Sequence, residues 1–326
     1  MTEPEHISFP SIGQFANFKK ELKYYVEHNK VPDEITLTGT VKLHGTHADI
    51  IFDEKTKAIT FQSRNRVLTI DSDNMGFVEF MTQCDLACLF NGIKWIFMRP
   101  VETIMVSGEF CGGNIQKGVA LTKLPRMFCI FDIKINNEWR HLIPYSDLIL
   151  PEHIYRITRA PMFKLKMDPR TPDLIIPRLI ELTNQVENEC PFAKTFGVSG
   201  TGEGIVWKCS LSESSRFWFK TKGEKHSVSK VTTLKPKTPK DLEALTNIKH
   251  FSESAATEAR LKQGLDYLCE MKLDLVPDNM GTFLSWVTND VLKEEADAIK
   301  EMNVDVKALK KELSCRARGW FLLNAL

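Results

Sequence analysis

Three lysines in two short motifs carry the strongest chemical signal in this sequence. Lys42 opens the motif Lys42-Leu43-His44-Gly45-Thr46, and Lys220 and Lys222 stand two residues apart in an aromatic segment. A lysine amine is a nucleophile only when it is neutral, and a reference pKa near 10.4 leaves about one in a few thousand unprotonated at pH 7. Side chains two apart on a strand share a face. We therefore expect Lys220 and Lys222 to lower the pKa of Lys42 and to hold phosphate oxygens, with Lys42 attacking phosphorus.

Further motifs supply the other groups that a nucleotide requires. Glu109 and Glu203 adjoin glycines at the ends of predicted strands, where a carboxylate can reach a ribose hydroxyl or a divalent ion. Phe131 can stack on a purine, and Gly45 lets a ligand approach the backbone closely. Taken singly, each has an ordinary explanation: an exposed lysine, a surface glutamate or a core phenylalanine. Their order along the chain predicts a nucleotidyl-transfer site built around a lysine nucleophile.

A mainly antiparallel sheet is expected to position these residues. Alternating apolar residues predict strands, and a polar turn at 53–57 joins two of them into a meander. A helix is expected over 76–90, and the predicted strands cover 35–41, 48–52, 58–62, 103–110, 127–135, 204–209 and 217–221.

A second, helical domain is predicted after this region. The run 235–240 has two prolines and no apolar residue, which indicates a linker. Beyond it, leucines and valines recur at helical spacing. We therefore expect one domain over residues 1–235 and a small all-α domain over 236–326.

Composition favours a soluble, cytoplasmic protein. No apolar stretch reaches the roughly 20 residues of a membrane helix, and the polar, acidic amino terminus does not resemble a secretory signal. The eight cysteines form no Cys-x-x-Cys pair and are expected to be reduced thiols. The net charge is +1, but the segment from Arg216 to Lys240 holds eight Lys or Arg and only Glu224 as an acid. This segment predicts a local basic surface rather than a globally basic nucleic-acid binder.

The ordered motifs resemble the ATP-dependent RNA ligases of the nick-sealing, type 2 class, which includes a bacteriophage enzyme and the RNA-editing ligases. The similarity covers nearly the whole chain. Its most class-specific part is the segment 106–119, because DNA ligases and capping enzymes share the lysine motif but not this extension. The resemblance implies an α+β fold, in which an antiparallel-sheet nucleotidyltransferase (adenylyltransferase) domain is followed by a small all-α C-terminal domain that engages RNA.

The resemblance also implies a role for each motif residue. Lys42 takes AMP, Glu109 contacts the ribose, Phe131 stacks on adenine, and Arg64 serves the steps that involve the RNA 5′-phosphate. The implied metal ligand is Glu203. The implied catalytic residues are Lys42, Arg64, Glu203, Lys220 and Lys222. The implied nucleotide-binding residues are Val41, Lys42, Leu43, Gly45, Arg64, Glu109, Phe131, Glu203, Lys220 and Lys222.

Two positions depart from the family pattern. His47 stands where the family usually has Asn, which affects one ribose or RNA contact. Val41 stands where some members have a glutamate that contacts adenine.

The implied reaction joins a 3′-hydroxyl and a 5′-phosphate of RNA, at nicks in a duplex, by a monomeric enzyme that uses ATP with Mg²⁺ or Mn²⁺. Lys42 first forms a lysyl-AMP intermediate, AMP then moves to the RNA 5′-phosphate, and the 3′-hydroxyl finally displaces AMP. Two alternatives stay open. One is a DNA ligase or an mRNA-capping guanylyltransferase, although no oligonucleotide-binding barrel is evident after residue 240. The other is a nucleotide-regulated RNA-binding module without catalysis, although the candidate catalytic side chains are intact.

Overall fold

The computed structural model describes residues 5–97, 100–140, 148–212, 214–226 and 244–324. Contacts between Cα atoms divide the chain into two units, Met1–Lys225 and His226–Leu326. The predicted boundary at residue 235 and the linker at 235–240 lie outside the described residues, so the domain limits stay a prediction.

The first unit combines strands with a few helices. Its helices are α1 (Phe15–His28), α2 (Phe77–Thr82), α3 (Leu86–Phe97), α4 (Ile176–Asn188) and α5 (Pro191–Lys194). Its strands are β1 (Gly13–Gln14), β2 (Ile35–Lys42), β3 (Thr46–Asp53), β4 (Ile59–Ser63), β5 (Val67–Leu68), β6 (Thr103–Cys111), β7 (Met127–Ile135), β8 (Glu138–Arg140), β9 (Ile154–Arg156), β10 (Phe163–Met167), β11 (Gly204–Cys209) and β12 (Trp218–Lys222).

The strands form two sheets. The first has the order β1-β12-β11-β2-β10, and the second has the order β5-β4-β3-β6-β7-β8, with β9 pairing to β7. Neighbouring strands are antiparallel except for the pairs β1–β12 and β7–β9. The candidate residues on these strands are Lys42, Glu109, Phe131, Lys220 and Lys222, whereas Gly45, Arg64 and Glu203 lie just outside strand ends.

Strand β2 shows why the sequence forms this sheet. Its residues alternate between buried and partly exposed along their whole length, as expected for a strand with one face on a core. Ile35, Leu37 and Val41 belong to the core that also contains Phe18 of α1 and Leu182 of α4. The intervening residues, which end at Lys42, lie on the other face. A second core lies on one face of the second sheet and includes residues of α2 and α3.

The second unit is helical. Its helices are α6 (Ala244–Ala255), α7 (Glu258–Glu270), α8 (Met280–Glu294), α9 (Ala296–Glu301) and α10 (Val306–Asn324). They share one apolar core. Arg260 is fully buried there and forms ion pairs with Asp290 at 2.9 Å and Glu295 at 3.1 Å, which satisfies its charge.

The predicted fold class is confirmed: antiparallel sheets with helices precede an all-α region. One element differs, because the helix predicted over 76–90 is two helices, α2 and α3. The side chain of Asp85 accepts a hydrogen bond from the backbone N–H of Cys88 at 2.9 Å. Asp85 therefore caps a new helix start, which apolar periodicity does not reveal.

Candidate active site

Strand register brings Lys42 and Lys222 onto one face of the first sheet. Gly204 on β11 pairs with Lys42 on β2 and also with Lys222 on β12. Directly opposed residues in antiparallel strands project from the same face, so both lysines stand on either side of Gly204. A Cβ at Gly204 would lie 2.0 Å from the carbonyl oxygen of Thr221, which explains why glycine is needed here. Two lysines far apart in sequence thus become neighbours across three strands.

Glu203 joins the two lysines through its carboxylate. Its Oε2 accepts a hydrogen bond from Lys42 Nζ at 2.7 Å, and its Oε1 lies 2.9 Å from Lys222 Nζ. His44 Nδ1 lies 3.5 Å from the same Oε2. Glu203 is only 2% exposed. Burial raises the pKa of this carboxyl, but the charges of Lys222 and Lys42 and the hydrogen bond from His44 together hold it well below its usual range.

The predicted lowering of the Lys42 pKa is wrong for this arrangement. Burial is the largest single influence and lowers the pKa, but the negative charges of Glu203 and Glu109 and the hydrogen bond to Glu203 together raise it above its ordinary value. The side chain of Lys42 keeps 24% of its surface exposed. Lys42 is therefore a charged ammonium in this structure, and it must lose its proton before it can act as a nucleophile.

Glu109 stands next to the lysine motif on the second sheet. Its Oε1 accepts a hydrogen bond from the backbone N–H of Gly45 at 2.9 Å. A Cβ at Gly45 would lie 2.3 Å from the carbonyl oxygen of Phe110, so the loop after Lys42 can pass this strand only with glycine. Burial raises the pKa of Glu109, and the charge of Lys42 lowers it less than burial raises it. This carboxyl is thus placed beside the nucleophile's loop.

Phe131 occupies a β-bulge. Ser107 pairs with Asp132 and Gly108 pairs with Ile130, which leaves Phe131 as the extra residue of β7. Bulges re-aim side chains and are frequent beside active sites. The Phe131 ring is half-buried, and its centroid lies 5.6 Å from that of His47. The following Asp132 is fully buried and accepts a hydrogen bond from Lys208 Nζ at 2.5 Å.

Phe9 lies close to several of these residues, although no sequence pattern points to it. It is 5% exposed in a segment without regular structure. Its ring lies 4.9 Å from His47 and 5.3 Å from Phe131, centroid to centroid. It also contacts the rings of Trp139 on the second sheet and Trp218 on the first. The amino-terminal segment therefore packs between the two sheets beside the candidate site.

Arg64 follows the end of β4 and faces the same segment. Its Nη1 and Nη2 donate to the carbonyl oxygen of Pro10 at 3.3 and 3.4 Å, and its guanidinium carbon lies 5.7 Å from the Phe9 ring centroid. The Phe9 ring is therefore a neighbour of both Arg64 and His47.

The remaining predicted residues divide between the site and the core. Lys220 lies on β12 two residues before Lys222, on the same face, and is partly exposed. Val41 and Leu43 are buried in the core of the first sheet. A nucleotide contact by Val41 or Leu43 would have to come from its backbone.

His47 has partners that the motif alone did not indicate. Its Nε2 lies 3.0 Å from Oδ2 of Asp49, which is fully buried, and Gln62 donates to the same oxygen at 2.8 Å. Asp49 lies two residues after His47 on β3, a spacing that predicts a shared face and that sequence reasoning had missed.

Two features are absent from the described residues. No helix there is long and apolar enough to cross a membrane. No group of three or more His, Cys, Asp or Glu side chains there is arranged to hold a metal ion.

Sequence comparison defines the family. A family model described as RNA ligase matches residues 35–222, more than half of the chain, and the chain therefore belongs to the RNA ligase family. The match includes both halves of the site, from Lys42 to Lys222. No curated protein sequence matches this chain at a significant level.

The chain is also similar to solved structures of an RNA ligase from Naegleria gruberi. A lysine-to-alanine mutant with ATP and Mn has 16% identity and a TM-score of 0.45, covering 68% of this chain and 58% of that one. A glutamate-to-alanine mutant with AMP and Mn has 17% identity and a TM-score of 0.45, covering 68% and 57%. The same ligase with PPi has 18% identity and a TM-score of 0.43, covering 68% and 57%. The match thus spans less than two thirds of that ligase.

Proposed function

We propose that this protein is an ATP-dependent RNA ligase of the nick-sealing, type 2 class, which joins 3′-hydroxyl and 5′-phosphate ends through a lysyl-AMP intermediate. One observation carries the proposal: Lys42 and Lys222, from the two ends of the family region, meet on one carboxylate, Glu203. Lysines on one sheet face, together with a buried acid, suit an anionic nucleotide and a lysine nucleophile.

In the first step, neutral Lys42 attacks the α-phosphorus of ATP. A bond forms between Nζ and phosphorus, the bond to the pyrophosphate oxygen breaks, and pyrophosphate leaves. Lys220 and Lys222 hold phosphate oxygens on the same face. Glu109, whose Oε1 is fixed by Gly45, contacts the ribose, and Phe131 stacks on adenine.

A divalent cation, Mg²⁺ or Mn²⁺, fits the chemistry of this site. Glu203 is a buried carboxylate bound to Lys42, and Glu109 is close enough for its charge to act on the same amine. Magnesium commonly takes one or two protein carboxylates and shares substrate phosphates, so a preformed cluster of ligands is not required. Glu203 would hold the ion, which would neutralise phosphate charge during transfer.

In the later steps, AMP moves to the RNA 5′-phosphate, and the 3′-hydroxyl then displaces AMP. Arg64 is the candidate contact for the 5′-phosphate, because a planar guanidinium binds two phosphate oxygens at once. We place nucleotide chemistry in residues 1–235 and RNA binding in residues 236–326. We further infer a cytoplasmic monomer that acts on nicked duplex RNA.

The test is incubation with ATP or GTP labelled at the α-phosphate, together with a divalent metal. Covalent attachment of label from ATP supports the proposal, and its absence refutes it. Attachment from GTP instead would favour a capping guanylyltransferase, and binding without attachment would favour a nucleotide-regulated RNA-binding module. A panel of nicked RNA duplex, broken hairpin, single-stranded RNA and nicked DNA then identifies the polynucleotide. Sealing of nicked DNA alone would favour a DNA ligase.

A further inference from the structure

A buried hydrogen-bond chain ends on His47. Oδ2 of the fully buried Asp49 accepts bonds from His47 Nε2 and Gln62 Nε2. Gln62 is held in turn by the backbone of Ile7, which donates to Oε1 at 3.0 Å and accepts from Nε2 at 2.5 Å. Three residues on three separate segments therefore fix the orientation of the imidazole: Asp49, Gln62 and Ile7.

These hydrogen bonds determine which imidazole nitrogen can bind a ligand. An ionised carboxylate only accepts hydrogen bonds, so the proton between Asp49 and His47 belongs to Nε2. A neutral ring then carries its lone pair on Nδ1. The bond to Asp49 is the only hydrogen bond of His47 within the described residues, and the side chain is 14% exposed. Nδ1 has no hydrogen-bond partner within the described residues, and it is not fully buried. Nδ1 is therefore accessible to a ligand.

The position of His47 connects the nucleotide residues with the phosphate residue. It pairs directly with Glu109 across β3 and β6, and its ring contacts Phe131. The Phe9 ring centroid lies 4.9 Å from that of His47 and 5.7 Å from the Arg64 guanidinium carbon. His47 thus lies beside the candidate ribose contact, and it shares the Phe9 ring as a neighbour with the candidate contact for the 5′-phosphate.

We propose that His47 is the general base of the sealing step, with Asp49 as the residue that positions it. The inference rests on the proposed ligase function. As the RNA 3′-oxygen forms its bond to the 5′-phosphorus, its proton passes to Nδ1. The bond between that phosphorus and the AMP phosphate oxygen breaks, AMP leaves with the electron pair, and the imidazolium later returns its proton to solvent.

Within the described residues, three charged groups lie near His47. They are Asp49 on its own strand, its cross-strand partner Glu109 on β6, and Arg64, which like His47 is a neighbour of the Phe9 ring. In general, carboxylates favour an imidazolium and a guanidinium opposes it.

The experiment isolates sealing from nucleotide loading. The full chain is given a nicked RNA duplex whose 5′ end is already adenylylated, without ATP, and sealing rates are measured from about pH 6 to about pH 9, a range that spans imidazole titration. His47→Gln can still bond to Asp49 but cannot accept a proton. It should lower the sealing rate by about 100-fold or more and remove the rise of the rate through neutral pH. Attachment of AMP to Lys42 should change little.

Two further variants sharpen the test. Asp49→Asn removes the charge that stabilises the imidazolium, so the acidic limb of the sealing rate should move to lower pH. His28→Gln makes the same change as His47→Gln on the exposed surface of α1 and should behave like the wild type.

Two results would overturn the role of His47. One is sealing by His47→Gln at the wild-type rate and with the wild-type pH profile. The other is an equal loss of sealing and of AMP attachment, which would make His47 a structural part of the nucleotide site. A wild-type chain that neither attaches AMP nor seals would instead remove the proposed ligase function itself.

Discussion

Replacing Glu203 by glutamine should lower the pH at which Lys42 becomes reactive. Glu203 accepts a 2.7 Å hydrogen bond from Lys42 and is the nearest source of the negative charge that raises the pKa of Lys42. Glutamine keeps the shape but removes the charge. Burial then favours the neutral amine, and the charge of Glu109 opposes it less than the two carboxylates did together. At any pH below the transition, a larger fraction of Lys42 is a nucleophile.

The size of the effect follows from the geometry. Two unit charges 2.7 Å apart interact by roughly 6 kcal/mol at an effective dielectric constant of about 20, which is an upper limit for a pair open to solvent on one side. Burial of Lys42 acts in the opposite direction and cancels part of this energy. We therefore expect the midpoint of the labelling rate to move down by about one to three pH units, the usual effect of one close opposite charge.

The assay is single-turnover transfer of label from α-labelled ATP to the protein as a function of pH. The maximal rate of Glu203→Gln should fall, because the variant also loses the candidate metal ligand, so the midpoint of the profile is the decisive quantity. Glu189→Gln is the matched control, since it breaks an exposed ion pair with Lys194 and should leave the profile unchanged. An unchanged or raised midpoint in Glu203→Gln would refute the assignment of Glu203 as the group that keeps Lys42 protonated.

Four other variants test the rest of the proposed function. Lys42→Ala and Lys42→Arg should both fail to attach AMP, because arginine keeps its proton at accessible pH; covalent labelling at the wild-type level would exclude Lys42. Arg64→Ala should reduce sealing of a nick more than it reduces self-labelling, and equal losses in the two assays would make Arg64 a general structural residue. A chain that ends near Lys235 should still label itself, whereas its sealing should weaken and become more sensitive to salt. Full sealing by that fragment would show that residues 236–326 do not serve RNA binding.

The side-chain pattern predicted which residues lie on the strands, but not the charge balance between them. Alternation along β2 places Lys42 on the partly exposed face, and the spacing of Lys220 and Lys222 places both on one face. The direction of the Lys42 pKa depends on Glu203, which the sequence places only next to Gly204. Its position between the two lysines follows from the register of β2, β11 and β12. Long-range register is a property of the folded sheet, and short motifs do not encode it.

The amino-terminal segment shows a second limit. Gln62 bonds to the backbone of Ile7, 55 residues away, and Phe9 fills the space between the two sheets. A segment without regular structure has no period in its sequence, so neither contact leaves a pattern to detect. Asp49 differs, because its spacing from His47 was visible and only its burial was not.

The same ion pair predicts how metal and pH should interact. In the structure Lys42 and Lys222 neutralise the negative charge of Glu203, and the ion pair with Glu203 keeps the pKa of Lys42 raised. A divalent cation near Glu203 would neutralise that carboxylate in place of Lys42, and this would favour the neutral amine of Lys42. High pH removes the same proton directly. Chelation of the metal should therefore slow self-labelling more near pH 7 than at about pH 9.5. At the higher pH a larger fraction of Lys42 is neutral without the metal. Measuring labelling rates at both pH values, with and without chelator, tests this coupling. An equal fold-loss at both would mean that metal acts on the phosphates alone and that Lys42 loses its proton by another route.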